Sequence, residues 1–277
     1  MAQNYAAAHL KVLDERFSLE SKTDLIINKG IRLDFNGKNS VTIYNVDVVA
    51  ETDYVRSGSN RFGALVELGT GTQTFTLSQD KAFTFTVDRG NLEDSQMAQE
   101  VSKAVSRQVR EVSVPNTDIY RLSVLTTYAA ANSKSTTVAL TNSNTYQYLL
   151  AANAQLDELK VPEQGRVAFI TPTVYNLLKR DAEFNKACDV TVKKLEKGIM
   201  GEVDGITLVK VPSSYLVANA GFLLVHEKTL VAPTKFDMVR TLDDVQGIDG
   251  WVAEGRRYYD AFIPTNKAAG IWLHKVA

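Results

Sequence analysis

Hydrophobic positions along this chain recur with two different periods, and the places where one period replaces the other mark its first structural boundaries. Between Ala6 and Phe17, the residues Leu10, Leu13 and Phe17 stand at helical spacing with Lys11, Asp14, Glu15 and Arg16 between them. This predicts a short amphipathic helix that docks either on a neighbouring molecule or on its own domain. Ile31, Leu33 and Phe35 then alternate, Asn36 and Gly37 tolerate positive φ, and Val41 and Ile43 resume the alternation, which predicts a β-hairpin. From Glu51 to Thr74 the chain is rich in Gly, Ser, Thr and Asn, the mark of a pliable stretch. Phe75 and Leu77 are expected to face Phe83, Phe85 and Val87 across a polar turn at 78–81. Together these segments read as a long hairpin arm, ordered at its base and pliable in its middle.

A helical period follows. Met97, Val101, Val105, Val109 and Val112 lie three or four residues apart, while Glu100, Lys103, Arg107 and Arg110 fall mainly off that face. Pro115 removes a backbone donor, and Ile119, Leu122, Leu125 and Tyr128 restart the pattern, so one long helix is expected, kinked or broken near Pro115. Asn144 stands where a helix N-cap belongs, ahead of Leu149, Leu150, Ala152, Leu156 and Leu159, and that helix ends before Pro162. Gly165 leads into a short buried strand, 166–170. Thr171 and Pro172 then open a further helix with Val174, Leu177 and Leu178 on its apolar stripe. Gly201 to Gly205 predicts a turn into a strand at 206–211.

The last third is mostly β, with strands expected at 221–226, 229–232, 236–240, 251–254, 258–263 and 270–274. Strands in that order after a helix-rich middle predict an α+β chain whose sheet closes late.

The composition narrows the function. With 277 residues, 44% hydrophobic and 23% charged, the chain has ample material for a folded core. Its 31 Lys and Arg against 32 Asp and Glu leave a net charge of −1, with no basic run, which argues against tight nucleic-acid binding. A protein that surrounds nucleic acid is not excluded by this. The single cysteine, Cys188, has no partner for a disulfide or a CxxC motif and fits a reducing compartment. The first ten residues do not read as a secretory signal, and no apolar stretch has the length of a membrane helix.

The signatures of catalysis are missing. There is no phosphate-binding GxxxxGK[ST] loop, no GxSxG elbow and no HExxH. His9, His226 and His274 stand far apart without ligand-spaced neighbours, and read better as surface or satisfied core residues. Asp243, Asp244 and Asp249 have the oxygen ligands a divalent cation needs, but an ordinary polar loop has the same composition. No catalytic, cofactor or metal residue is therefore assigned. The densest charged and aromatic clusters are Glu254, Arg256, Arg257 and Asp260 around Tyr258 and Tyr259, and Arg56, Arg61 and Phe62 in the pliable arm. With Phe75 and Phe83 these are the candidates for intersubunit contact, against the plainer readings of intrachain pairing and a solvated loop.

The order of segments resembles the tailed-phage major capsid fold of the Hong Kong 97 type. The run from Gly165 through Ile170, Thr171 and Pro172 to Tyr175 is similar to the strand-to-helix passage of its axial domain. The run from Gly201 to Val211, Pro212, Ser213 and Ser214 resembles the glycine turn and strand that follow, and Gly250–Phe262 with Ala268–Ile271 the closing strands. The resemblance implies an N-terminal arm at 1–40, an extended β-hairpin loop at 41–90, a spine helix at 91–131, an axial α/β domain at 132–220 and a peripheral β-sheet domain at 221–277. It further implies a homo-oligomer of pentamers and hexamers in an icosahedral virion head, assembled in the bacterial host cytoplasm. Such a head encloses double-stranded DNA without sequence-specific binding, with a separate scaffolding protein and a portal as partners and no membrane. An encapsulin-like compartment shell and an unrecognised enzyme remain as alternatives.

Overall fold

The computed structural model describes residues 21–37, 39–46, 48–88, 100–184, 199–243, 245–247 and 249–277. The predicted helix at 6–17, Met97, Cys188, His9 and Asp244 lie outside the described residues. The chain divides into two compact units, one formed by 1–29 with 79–277 and the other by Gly30–Ser78.

The larger unit is built on a six-stranded mixed sheet. It is composed of β5 (Ser135–Thr137), β6 (Arg166–Ile170), β7 (Ile199–Val203), β8 (Ile206–Lys210), β9 (Ala220–His226) and β12 (Ile271–Lys275), in the order β5-β12-β9-β6-β8-β7. β6 runs parallel to β8 and antiparallel to β9. Every residue of β6 and β9 is buried. That requires cover on both faces, and explains why these strands are runs of apolar residues with no polar alternation.

The covers are helical. On one face Leu122, Leu125 and Ala129 of α2 (Val114–Ala131) pack with Ile26 against Val167, Phe169, Leu223, Val225, Ile271 and Leu273. On the other, α3 (Thr145–Glu158) and α4 (Pro172–Arg180) bring Leu149, Leu156, Val174 and Leu178 against Ala168, Ile170, Leu208, Phe222 and Leu224. Successive residues of β6 thus serve opposite cores, as the two-residue strand period demands. Each fully buried Leu or Phe here contributes about 1.5–3 kcal/mol.

α2 continues a longer helical run that begins with α1 (Glu100–Gln108) and passes through a π-helical turn, Val109–Ser113. The interruption expected at Pro115 is this turn and not a break. Ser113 and Val114 keep helical dihedrals, and the Val114 N–H reaches back five residues to the Val109 carbonyl. Pro115 cannot donate to the carbonyl four residues earlier and its ring crowds it; widening the preceding turn by one residue relieves that conflict. Thr171 departs from its expected role in a smaller way, since its hydroxyl donates to the Gly221 carbonyl at 3.2 Å instead of capping α4.

A second sheet in the same unit has the order β10-β11-β4, from β4 (Gln79–Asp88), β10 (Thr234–Asp243) and β11 (Gly250–Tyr259). The two strands expected at 251–254 and 258–263 are largely one continuous strand, β11. The late strands do not close a single sheet either: β9 and β12 join the six-stranded sheet, while β10 and β11 pair with β4. Val239, Ala253, Phe83 and Phe85 of this second sheet pack on Val105, Val109 and Val114 of the helical run.

The smaller unit is an antiparallel sheet of β1 (Leu33–Asn36), β2 (Ser40–Val46) and β3 (Thr70–Thr76), with β2 central. The predicted hairpin at Asn36–Gly37 is present: Asn36 stands opposite Ser40, and Gly37 has φ +64°. The second predicted hairpin is not. β3 pairs with β2, and β4 pairs with β11 along its whole length, so residues 75–77 do not face 83–87 across a turn. The competing partner is β11, whose ten paired positions outnumber what the short segment 75–77 could offer.

Candidate intersubunit surfaces

Between β2 and β3 the chain runs for more than twenty residues without a strand, and its apolar side chains point outward. Val48 is 94% exposed, Phe62 86% and Leu65 100%, and Tyr54, Val55, Val66 and Leu68 are each more than half exposed. The stretch expected to be wholly pliable contains a closed turn. The Val55 N–H donates to the Arg61 carbonyl at 3.0 Å, the Thr52 hydroxyl to the Phe62 carbonyl at 3.1 Å, and Tyr54 meets the Phe62 ring edge-on at 5.0 Å. Asn60, at φ 62°, and Gly58, at φ 93°, supply the left-handed conformations that the reversal needs. Arg61 Nε donates to the Gly58 carbonyl at 3.2 Å, while Arg56 extends exposed from the same turn. Phe75, half-buried, sits opposite Val41 in the sheet below.

The cluster on β11 is resolved into pairs within the chain. Arg256 grips Asp80 with two hydrogen bonds, Nε to Oδ1 at 2.9 Å and Nη2 to Oδ2 at 2.6 Å. That grip holds the Asp80 carboxyl below its ordinary range. Glu254 accepts from Arg240 at 2.7 Å directly across the strands. Arg257, buried, points to the other face: it pairs with Asp237 at 3.0 Å, donates to the Thr117 hydroxyl at 2.9 Å and the Ser113 carbonyl at 3.3 Å, and lies over the Tyr259 ring. Asp260, also buried, accepts from the Tyr120 hydroxyl at 2.5 Å and the Ala261 N–H at 2.7 Å. Phe83 is half-buried against the helical run. Glu254, Arg256, Arg257 and Asp260 thus each have a partner within the chain.

Two buried polar networks were not anticipated. Asp118 of α2 accepts from the hydroxyls of Ser21 and Thr23, both at 2.6 Å, and from the Lys22 N–H at 2.9 Å. Arg121, one turn on, donates to Thr23 at 2.9 Å and pairs with Asp24 at 3.0 Å. Burial presses the Arg121 pKa down, and its Nε is buried with no hydrogen-bond partner among the described residues. This network fastens 21–24 to the helix. The second is Arg166, 1% exposed, which reaches Asp157 at 2.7 Å, the Val161 and Pro162 carbonyls at 2.6 and 3.0 Å, and Asn153 Oδ1 at 2.5 Å. An Asp and an Arg three residues apart on a helix, and an Arg opening an otherwise apolar strand, were the available signals.

His274 donates from Nε2 to the Val138 carbonyl and stacks on Phe222, and His226 accepts from the Lys228 N–H; burial lowers both pKa values. Among the described residues no three His, Cys, Asp or Glu side chains come together as a metal site, and no helix is long and apolar enough to cross a membrane.

No protein-family model matches the sequence, and no curated protein matches it either. Solved structures do. The chain is similar to the mature capsid of bacteriophage PhiM1, with TM-score 0.61 and 12% identity over 87% of this chain and 82% of that one. Microbacterium phage Oxtober96 gives 0.60 and 12% over 93% and 91%. The chain has the phage major capsid fold. This is the α+β architecture of the Hong Kong 97 type that the order of segments resembled. A virus-like particle from Pyrococcus furiosus shares the capsid fold over 99% of this chain and all of that one, with TM-score 0.55 and 10% identity. At 10–12% identity the fold is shared while most residues differ, so the contacts of this chain have to be argued from its own side chains.

Proposed function

We propose that this chain is the major capsid protein of a tailed bacteriophage, a structural subunit without enzymatic activity. Pentamers and hexamers of it form an icosahedral head around double-stranded DNA. One observation carries the reading. Of the fifteen large hydrophobic residues exposed among the described ones, ten lie within Gly30–Ser78: Phe35, Tyr44, Val48, Val49, Tyr54, Val55, Phe62, Leu65, Val66 and Leu68. A small unit that exposes so much apolar surface is built to be covered, and contiguous patches of this kind mark protein–protein contact.

On this reading the unit is the extended loop that lies over a neighbouring subunit, with Phe62 and Leu65 as apolar anchors and Arg56 and Arg61 at their rim. Residues before Gly30 act as the N-terminal arm, the run from α1 to α2 as the spine helix, the six-stranded sheet as the axial domain, and β4, β10 and β11 as the peripheral sheet. The near-neutral charge suits a container that surrounds DNA without gripping it. A scaffolding protein and a portal complete the assembly.

Electron microscopy of the purified protein tests this, and shells are the expected result. Phe62→Asp with Leu65→Asp should leave the subunit folded, because both side chains are mostly in water and only the edge contact of Phe62 with Tyr54 is lost, yet abolish shells. Hydrogen exchange at 51–74 should slow on assembly. A lone monomer, or a double variant that assembles as the parent does, would overturn the proposal. Shells lacking nuclease-protected DNA in infected cells would favour the compartment alternative.

A further inference from the structure

Positive and negative charge nearly cancel over the whole chain, but they do not cancel everywhere. Where the parallel strands β6 and β8 finish, basic side chains converge from three separate parts of the sequence. The buried Tyr175 of α4 has the Lys179 ammonium 4.9 Å and the Lys210 ammonium 5.5 Å from its ring centroid. Lys179 stands one turn on in the same helix, and Lys210 ends β8. Lys22 adds a third ammonium, whose Nζ donates to the Lys210 carbonyl at 3.0 Å. Arg180, next to Lys179, is exposed.

Carboxylates do not balance this group. Lys22, Arg180 and Lys210 form no ion pair among the described residues. Asp24, close to Lys22 in sequence, pairs with Arg121. Asp181, which follows Arg180, is buried and accepts from the Tyr146 N–H at 3.3 Å and the Glu183 N–H at 3.0 Å. A ring face positions an ammonium without cancelling its charge. Two like charges held against one ring repel each other, and an anion beside them relieves that repulsion. Ammonium groups are compact point charges with rotatable donors, which suits phosphate oxygens.

We infer that Lys22, Lys179, Arg180 and Lys210 form a phosphate-binding patch that touches the backbone of duplex DNA without regard to its sequence. This deepens the proposed container role and rests on it, since the wall of the container is what the enclosed DNA meets. Contacts to phosphate position a duplex and carry no sequence information. The patch is local on a chain of net charge −1, so it holds DNA weakly and releases it as salt rises. It assigns this end of the six-stranded sheet to the DNA side of the shell.

The salt dependence of DNA binding tests the patch. Full-length subunits kept apart by Phe62→Asp and Leu65→Asp are titrated into two labelled duplexes of unrelated sequence, and fluorescence anisotropy is read over a series of chloride concentrations. Contact through all four cations gives a slope of log affinity against log salt of about −3 to −4. Lys179→Gln with Lys210→Gln should make that slope shallower by about 2, equally on both duplexes. Lys179→Arg with Lys210→Arg should preserve it, which separates lost charge from lost packing around Tyr175. Lys160→Gln with Lys228→Gln removes the same charge at the Arg166 end of β6 and should leave the slope as it is. An equal change in both glutamine pairs, or no duplex binding at low salt, would overturn the patch, while shells of the parent in electron micrographs would keep the shell-forming role standing. Binding of inorganic phosphate alone, lost in Lys179→Gln with Lys210→Gln, would replace DNA with a free anion. Absence of shells from the parent, with the expected change of slope, would keep the patch and remove the container.

Discussion

Arg166 and Arg256 make the same kind of contact in opposite surroundings, and substituting each in turn separates geometry from burial. Arg256 holds Asp80 at 2.6 Å with side chains 53% and 42% exposed, whereas Arg166 holds Asp157 at 2.7 Å with its own side chain 1% exposed. Arg166→Leu strips three further acceptors of their donor: the Val161 and Pro162 carbonyls and Asn153 Oδ1. A buried acceptor left dry costs about 1–3 kcal/mol. Val161 and Asn153 are half-buried and Pro162 is exposed, so the three together lose about 3–5 kcal/mol, at the low end of that range for each. Asp157, half exposed, turns to water and adds little, and the leucine regains about 1–2 kcal/mol of apolar burial. The net loss is about 1–4 kcal/mol, and at ~2–4 °C per kcal/mol for a chain of this size the melting temperature should fall by about 2–16 °C. Arg166→Lys should recover only part, because one ammonium cannot reach acceptors spread around a planar fork. Arg256→Leu should leave the melting temperature unchanged within error. Assembly would raise every value by mass action, so calorimetry belongs on subunits carrying Phe62→Asp and Leu65→Asp. Equal shifts for Arg166→Leu and Arg256→Leu would refute the reasoning.

Two further outcomes follow from buried groups and from the spine. His274 and His226 both have pKa values lowered by burial, so the unfolded chain binds protons that the folded chain refuses; stability should hold above the ordinary histidine value near 6.5 and fall as the pH drops below it. His274→Gln keeps a donor for the Val138 carbonyl and should flatten that fall between pH 7 and 5, and an unchanged slope in urea titrations across that range would count against it. Pro115→Ala restores an N–H just after the π-turn, which allows the run to relax toward a regular α-helix; the size distribution of shells by electron microscopy should change, and identical shells would remove any role for the turn in fitting five-fold and six-fold positions.

What the sequence made legible divides along physical lines. The doubly covered strands β6, β8 and β9 announced themselves as short apolar runs between glycine and proline, because burial on both faces writes itself into every residue. The Asn36–Gly37 hairpin was equally plain, since a tight reversal constrains two particular positions. Partner choice was not, because periodicity reports which face of a strand is apolar and says nothing about which strand lies beside it. Thus β4 was assigned to a local hairpin with the end of β3, although its ten-residue match with β11 lies more than 150 residues away in sequence. The surface candidates divide in the same manner. Phe62 and its arginines are exposed as a loop composition implies, while Arg257 and Asp260 are buried and matched, because alternate residues along β11 face opposite ways and composition does not record which.

The residues from Ser113 to Arg121 then acquire a meaning that none of them has singly. Within nine positions the helix meets three different parts of the chain: Ser113 and Thr117 hold Arg257 of β11, Asp118 and Arg121 hold 21–24, and Tyr120 holds Asp260 beyond the end of β11. These contacts begin at Ser113, the last residue of the π-turn, where the helical hydrogen-bond register changes. A change of register there would carry Thr117, Asp118, Tyr120 and Arg121 together, because consecutive residues of a helix cannot rotate independently. The Arg257 contact, the root of 21–24 and the Tyr120–Asp260 bond would therefore have to give way or move as a set. On the proposed shell-forming reading such concentration is useful, since one local rearrangement then reaches 21–24, Arg257 of β11 and, through Leu122 and Leu125 of the same helix, one apolar layer of the six-stranded sheet, while the opposite layer, under α3 and α4, contains no residue of this helix.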